Sequence, residues 1–217
     1  MESTIMKNII RVGAILVLGA APFLRADMSF QVTVDTTPLA SLTGYMAFDL
    51  FGGGPLQDNV ATITSFATTG VLGAASTSGD VTGSLTPGPL VETADQFFNE
   101  WLQPITFGSG LTTFDLNVTT SYITGSTPDS FSFTLLDSGF NSFSTTDPTG
   151  ADRLFAIDLV GADTTPDVFT SPFATATVTP LGGGAVPEPN LLPFAVLGFG
   201  LMLAVYAMVR RARTGRR

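Results

Sequence analysis

The sequence predicts an all-β protein: a β-sandwich or jelly-roll-like ectodomain with one short helix, set between two targeting segments. Three observations predict it. Between Asp27 and Pro180 the apolar residues recur with period two over runs of about five to eight residues. Turn signals separate those runs: GGGP at Gly52, TSGD at Thr77, TPGP at Thr86, STPD at Ser126 and DPTG at Asp147. Thr and Phe, both good strand residues, dominate the runs themselves.

Residues 1–26 read as a signal peptide. MKNIIR (Met6 to Arg11) is a short positive region, and VGAILVLGAA (Val12 to Ala21) is an uncharged apolar stretch too short to span a bilayer comfortably. Small residues follow, and cleavage is expected after Ala26. Met6 is an alternative start to Met1, because MESTI places an acid where signal peptides carry positive charge.

The ectodomain is expected over 27–180. SFQVTV turns Phe30, Val32 and Val34 to one face, and YMAFDLF turns Met46, Phe48 and Leu50 inward with Tyr45, Ala47 and Asp49 opposite. TTFDLNVTT offers Phe114, Leu116 and Val118; SFSFTLLD offers Phe131, Phe133 and Leu135. RLFAIDLV contributes Phe155, Ile157 and Leu159, and FATATVTP contributes Ala174, Ala176 and Val178. This spacing fits about eight to ten strands. The one departure is TADQFFNEWLQ, where Thr93 and Gln96 make a capping box and Phe97, Phe98, Trp101 and Leu102 share a helical stripe; a short helix over the sandwich is expected there. The chain has no Cys, so burial alone must stabilise this domain.

A Gly/Pro linker follows at 181–190 and contains VPEP, Val186 to Pro189. Its two prolines hold the backbone extended without a donor on either nitrogen, a form that a processing enzyme's cleft can hold. Residues 191–209 carry no charge, and as a helix they would run about 28 Å, close to the ~30 Å hydrocarbon thickness. The tail at 210–217, RRARTGRR, holds Arg210, Arg211, Arg213, Arg216 and Arg217. By the positive-inside rule this tail stays cytoplasmic and halts transfer.

A Pro-Glu-Pro motif, an apolar helix and an Arg-rich end in that order resemble the PEP-CTERM sorting signal of Gram-negative bacteria. The resemblance covers Val186 to Arg217; Pro187, Glu188 and Pro189 match the motif, and Arg210 and Arg211 match the basic stop. The stretches VTVDTTPLASLTGYMAFDLF and GDVTGSLT make the ectodomain similar to uncharacterised PEP-CTERM proteins. The resemblance implies entry through the Sec export machinery, a transient single-pass stage in the inner membrane, and processing by an exosortase-like membrane enzyme. It further implies a final place at the cell surface or in the extracellular matrix, with a link to exopolysaccharide and biofilm. It implies no activity for the ectodomain.

Composition narrows the chemistry. The chain has no His, which removes the usual neutral-pH base and the commonest metal ligand. Arg153 is the only basic residue between Asp27 and Pro187, against sixteen Asp and Glu, so a nucleic-acid partner is not expected. Glu92 and Glu100 are the ectodomain's glutamates, and they read as solvated acids flanking the expected helix rather than a hydrolytic pair. No cofactor and no catalytic residue are expected. STTDPTGADR makes Asp147 and Asp152 calcium candidates without an EF-hand pattern, and VGADTTPD adds Asp163 and Asp167. Trp101, Tyr45 and Tyr122, the ectodomain's aromatics with polar handles, are the candidates for sugar contact. The sequence thus points to a non-enzymatic exported surface or matrix protein, with a carbohydrate- or calcium-binding surface module as the alternative.

Overall fold

The computed structural model describes residues 27–54 and 58–182. Their strands are β1 (Asp27–Asp35), β2 (Thr43–Phe51), β3 (Val60–Thr68), β4 (Val71–Leu72), β5 (Ser76–Ser78), β6 (Val81–Gly83), β7 (Leu90–Thr93), β8 (Phe98–Thr106), β9 (Leu111–Thr119), β10 (Asp129–Asp137), β11 (Phe155–Leu159), β12 (Pro166–Val168) and β13 (Thr175–Pro180). They form a two-sheet antiparallel sandwich. One sheet runs β13-β1-β9-β3-β7-β6; the other runs β12-β11-β10-β2-β8-β4, with β5 also on β8. The chain changes sheet at most connections, so β1 lies between β9 and β13 rather than beside β2.

Alternation sets the layers. Phe30, Val32 and Val34 of β1 are fully buried, as are Met46, Phe48 and Leu50 of β2 and Phe131 and Phe133 of β10. Phe114, Leu116 and Val118 of β9 close the core from the six-stranded sheet. Phe48 sits at its centre, its ring 5.3 Å from Phe114 across the sheets and 4.9 Å from Phe133 along its own, both edge-on. Phe133 then stacks on Phe155 at 5.6 Å. These edge-on and stacked contacts add to the large apolar area each ring removes from water.

The expected helix at TADQFFNEWLQ is not present; that stretch is the end of β7, a turn and the start of β8. The four residues of the expected stripe separate: Trp101 faces the core, Phe98 and Leu102 face outward, and Phe97 stands 78 % exposed in the turn. The inward residues of β8 are Asn99, Trp101, Gln103 and Ile105, so half are polar and the period of two is masked. Tertiary hydrogen bonds satisfy those polar groups. Asn99 Nδ2 donates to the carbonyls of Leu50 (3.1 Å) and Gln96 (3.0 Å), and its Oδ1 accepts from Asp80 N–H (2.7 Å). The core positions those groups as strand and overrides the local helical pattern.

Among the described residues no helix is long and apolar enough to cross a membrane. The expected signal peptide, its cleavage residue Ala26, the motif Val186 to Pro189, the span 191–209 and the arginines from Arg210 onward lie outside the described residues.

Candidate functional site

One groove opens on the outer face of the seven-stranded sheet, at the end where β2 begins. Tyr45 points outward from β2 and is directly paired with Pro104 of β8 and Leu136 of β10. Beside them, Val71 of β4, which shares the outward face with its partner Thr106, and Gly73, Thr43, Thr106 and Ser138 complete an open groove of about 280 Å³. None of its lining residues carries a charge at neutral pH.

Two glycines shape it. A Cβ on Gly44 would collide with the carbonyl oxygen of Leu136, so glycine lets β2 lie close to β10 and sets Tyr45 in place. A Cβ on Gly73 would stand 3.0 Å from Pro104 Cβ, closing the groove from its side.

The Tyr45 wall is fixed from behind. Its ring stacks on Phe140, with centroids 4.5 Å apart and planes 19° from parallel. Phe140 has φ of 64°, left-handed for a bulky side chain, and its N–H donates to the carbonyl of Asp137 (3.1 Å). The Asp137 carboxylate holds this turn: Oδ1 accepts from the N–H groups of Gly139 (2.8 Å) and Asn141 (2.9 Å). Bonds from Asn141 backbone and side chain, with help from Gly139, keep the Asp137 pKa below the usual carboxylate value. Strain at Phe140 held by a carboxylate clip is a pre-organised arrangement.

Behind the groove lies the chain's single tryptophan. Trp101 Nε1–H donates to Gln103 Oε1 (3.2 Å), and Gln103 Nε2 donates to the carbonyls of Gly73 (2.8 Å) and Pro104 (3.1 Å). Trp101 is only 9 % exposed, so it supports the groove from inside and offers no face to a ligand. Tyr122 lies on the 120–128 loop with its hydroxyl turned to the Ser126 carbonyl (3.4 Å), and lines no part of the groove. Of the three aromatic candidates, only Tyr45 belongs to the groove.

A second cluster is acidic. Glu92 and Glu100 do not flank a helix as solvated acids. Glu92 points inward from β7, fully buried, and neither carboxylate oxygen has a hydrogen-bond partner. Burial first, then the nearby Asp49 charge, push its pKa up to about 9; the Trp101 backbone N–H lies close enough to moderate this without reaching bonding geometry. Asp49 of β2 is directly paired with Glu100 of β8. Desolvation, then the Glu100 charge, raise Asp49 to about 7 against a bond from Ser132, and Asp49 Oδ1 has no partner. Burial also raises Glu100. Glu92 is therefore a neutral acid at pH 7, closed off from solvent. Among the described residues no group of three or more acids is arranged to hold a metal ion.

Asp147 and Asp152 are both tied up within their own loop. Asp147 accepts from Arg153 Nε (2.7 Å) on Oδ2, and from Arg153 Nη2 (3.2 Å), Thr149 N–H (3.0 Å) and Thr149 Oγ1 (2.8 Å) on Oδ1. The Arg153 bond above all holds its carboxyl far below the usual range. Asp152, at φ of 54°, accepts from Thr145 N–H (2.9 Å). The groove residues Val71, Gly73, Pro104 and Ser138 carry no sequence signal of a site; DSGFN, the Asp137 to Asn141 clip, is the one local pattern that marks the place. No protein-family profile, no curated protein and no solved structure matches the chain.

Proposed function

We propose that the chain is a non-enzymatic exported protein of the cell surface or extracellular matrix, sorted and processed through its C-terminal Pro-Glu-Pro signal. The observation that carries this reading is the order of Val186 to Pro189, the uncharged span 191–209 and the arginines from Arg210 onward in the sequence. Among the described residues, the strands of the sandwich lie within the expected ectodomain, Asp27 to Pro180. The order β1-β9-β3-β7 facing β2-β8-β4 supports a jelly-roll-like connectivity, with β10 to β12 and β13 added at the β2 and β1 sides.

The test is the intact mass of the protein recovered from its native host, combined with fractionation into membrane, surface and medium. The expected product lacks residues 1–26 and 191–217. A full-length C-terminus in the final location rejects the processing step.

A second reading is a carbohydrate-binding surface module, favoured by the uncharged groove at Tyr45. The calcium version has less support, because the protein's own donors already occupy both oxygens of Asp147.

A further inference from the structure

We propose that the groove walled by Tyr45, Pro104 and Val71 binds one ring of a neutral saccharide, with the rest of the glycan passing out over the open side. This deepens the surface-module reading and rests on it. The physical case starts from what a sugar ring presents: a flat patch of C–H groups on one side and hydroxyls around its rim. Tyr45, Pro104 and the exposed Val71 supply apolar surface for the first. Thr43, Thr106 and Ser138, all exposed, supply hydroxyls that donate and accept for the second.

The size fits a single ring. At about 280 Å³ the groove sits at the floor of the usual small-ligand range of roughly 300–1,000 Å³, too small for a cofactor. The charge fits a neutral ligand. No lining residue is ionised, and the chain carries a net charge of −9, so an anionic polymer would be repelled as it approached. An extended peptide cannot add to β8 here, because β4 and Gly73 already occupy that edge: Gly73 N–H donates to the Pro104 carbonyl at 2.9 Å. The Phe140 stack and the Asp137 clip hold the Tyr45 ring ready, so little ordering cost remains on binding.

The structure also supplies a reporter. The bonds Gly73–Gln103–Trp101 run from the groove wall to the only indole in the chain, so an occupied groove should perturb Trp101 emission.

The experiment uses the full chain purified in an amine-oxide detergent, which has no sugar headgroup to compete. Gluco-, manno-, xylo- and chito-oligosaccharides are titrated by calorimetry and by Trp101 fluorescence, with oligouronates as the anionic arm. The expected result is saturable binding of at least one neutral oligosaccharide with a shift in Trp101 emission, and at least tenfold weaker binding of the oligouronates. Tyr45→Ala should weaken binding at least tenfold. Ser138→Phe, which fills the groove from an exposed position, should do the same while leaving the thermal midpoint unchanged. The proposal is overturned if no neutral oligosaccharide saturates the protein up to about 10 mM, if oligouronates bind more tightly, or if binding survives both substitutions. Binding is read on purified protein, so its failure removes this site and leaves the sorting reading to the mass of the mature terminus.

Discussion

Glu92 is the residue whose chemistry departs furthest from its sequence appearance. As LVET it alternates like any strand, and nothing local distinguishes an inward glutamate from an outward one. Its consequence is a pH dependence of a definite sign. The folded pKa, about 9, lies above the unfolded value, so the folded state holds the proton more tightly. The stability from this group is full below the unfolded carboxylate pKa of roughly 4.3 and is lost as pH rises towards 9. Asp49, raised to about 7, acts in the same direction over a narrower window. The thermal midpoint should therefore fall steadily between pH 5 and pH 9. Glu92→Gln keeps the shape and removes the charge; it should raise the midpoint at pH 8 and flatten the slope. A Gln variant that melts below wild type at pH 8 would show that the carboxylate has an ionic partner in the fold.

The strands differ in how openly the sequence displays them. β1, β2, β9, β10, β11 and β13 are legible because apolar residues hold the inward positions at their centres at every second place. β8 is not, because Asn99 and Gln103 occupy core-facing positions and depend on partners as far as 49 and 30 positions away. β4, β5 and β6, of two or three residues each, have no period to read and exist only because β8 and β7 offer them an edge. Of the groove, Tyr45 was legible as an outward aromatic; Val71 and Ser138 reach it only through the pairing of β4 with β8 and the turn after β10. Gly44 offers a test of that pairing. Gly44→Ala pushes a methyl group into the Leu136 carbonyl and must part β2 from β10. The expected cost is about 1–3 kcal/mol, read by denaturant unfolding, together with loss of the Tyr45–Phe140 contact. A neutral result would mean that the two strands are not held at this spacing.

For the whole molecule, stability rests on the core and on backbone pairing, since the chain has no cysteine to form a disulfide. Arg153, the one cation between Asp27 and Pro187, is committed to Asp147 and lies 5.7 Å over the Phe169 ring. Added calcium should find no vacancy in that loop. Thermal midpoints measured with millimolar calcium and with chelator are expected to agree, and a rise with calcium would reopen the loop as a cation site. The charge map was legible at this scale from composition alone. The buried acids Glu92 and Asp49 were not, because they come from strands of different sheets and neither local sequence marks its carboxylate as buried.

The pairing of β1 with β13 has a geometric outcome. These strands are antiparallel, with Phe30 beside Pro180 and Asp35 beside Thr175, and Leu181 N–H donates to the Ser29 carbonyl at 2.8 Å. Entry and exit of the chain therefore share one pole of the sandwich. β2 starts, with Thr43 and Tyr45, from the opposite pole, the length of a nine-residue strand or about 30 Å away. A ligand seated in the groove would therefore stand a full strand's length from Pro180, out of reach of the pole where β1 and β13 meet.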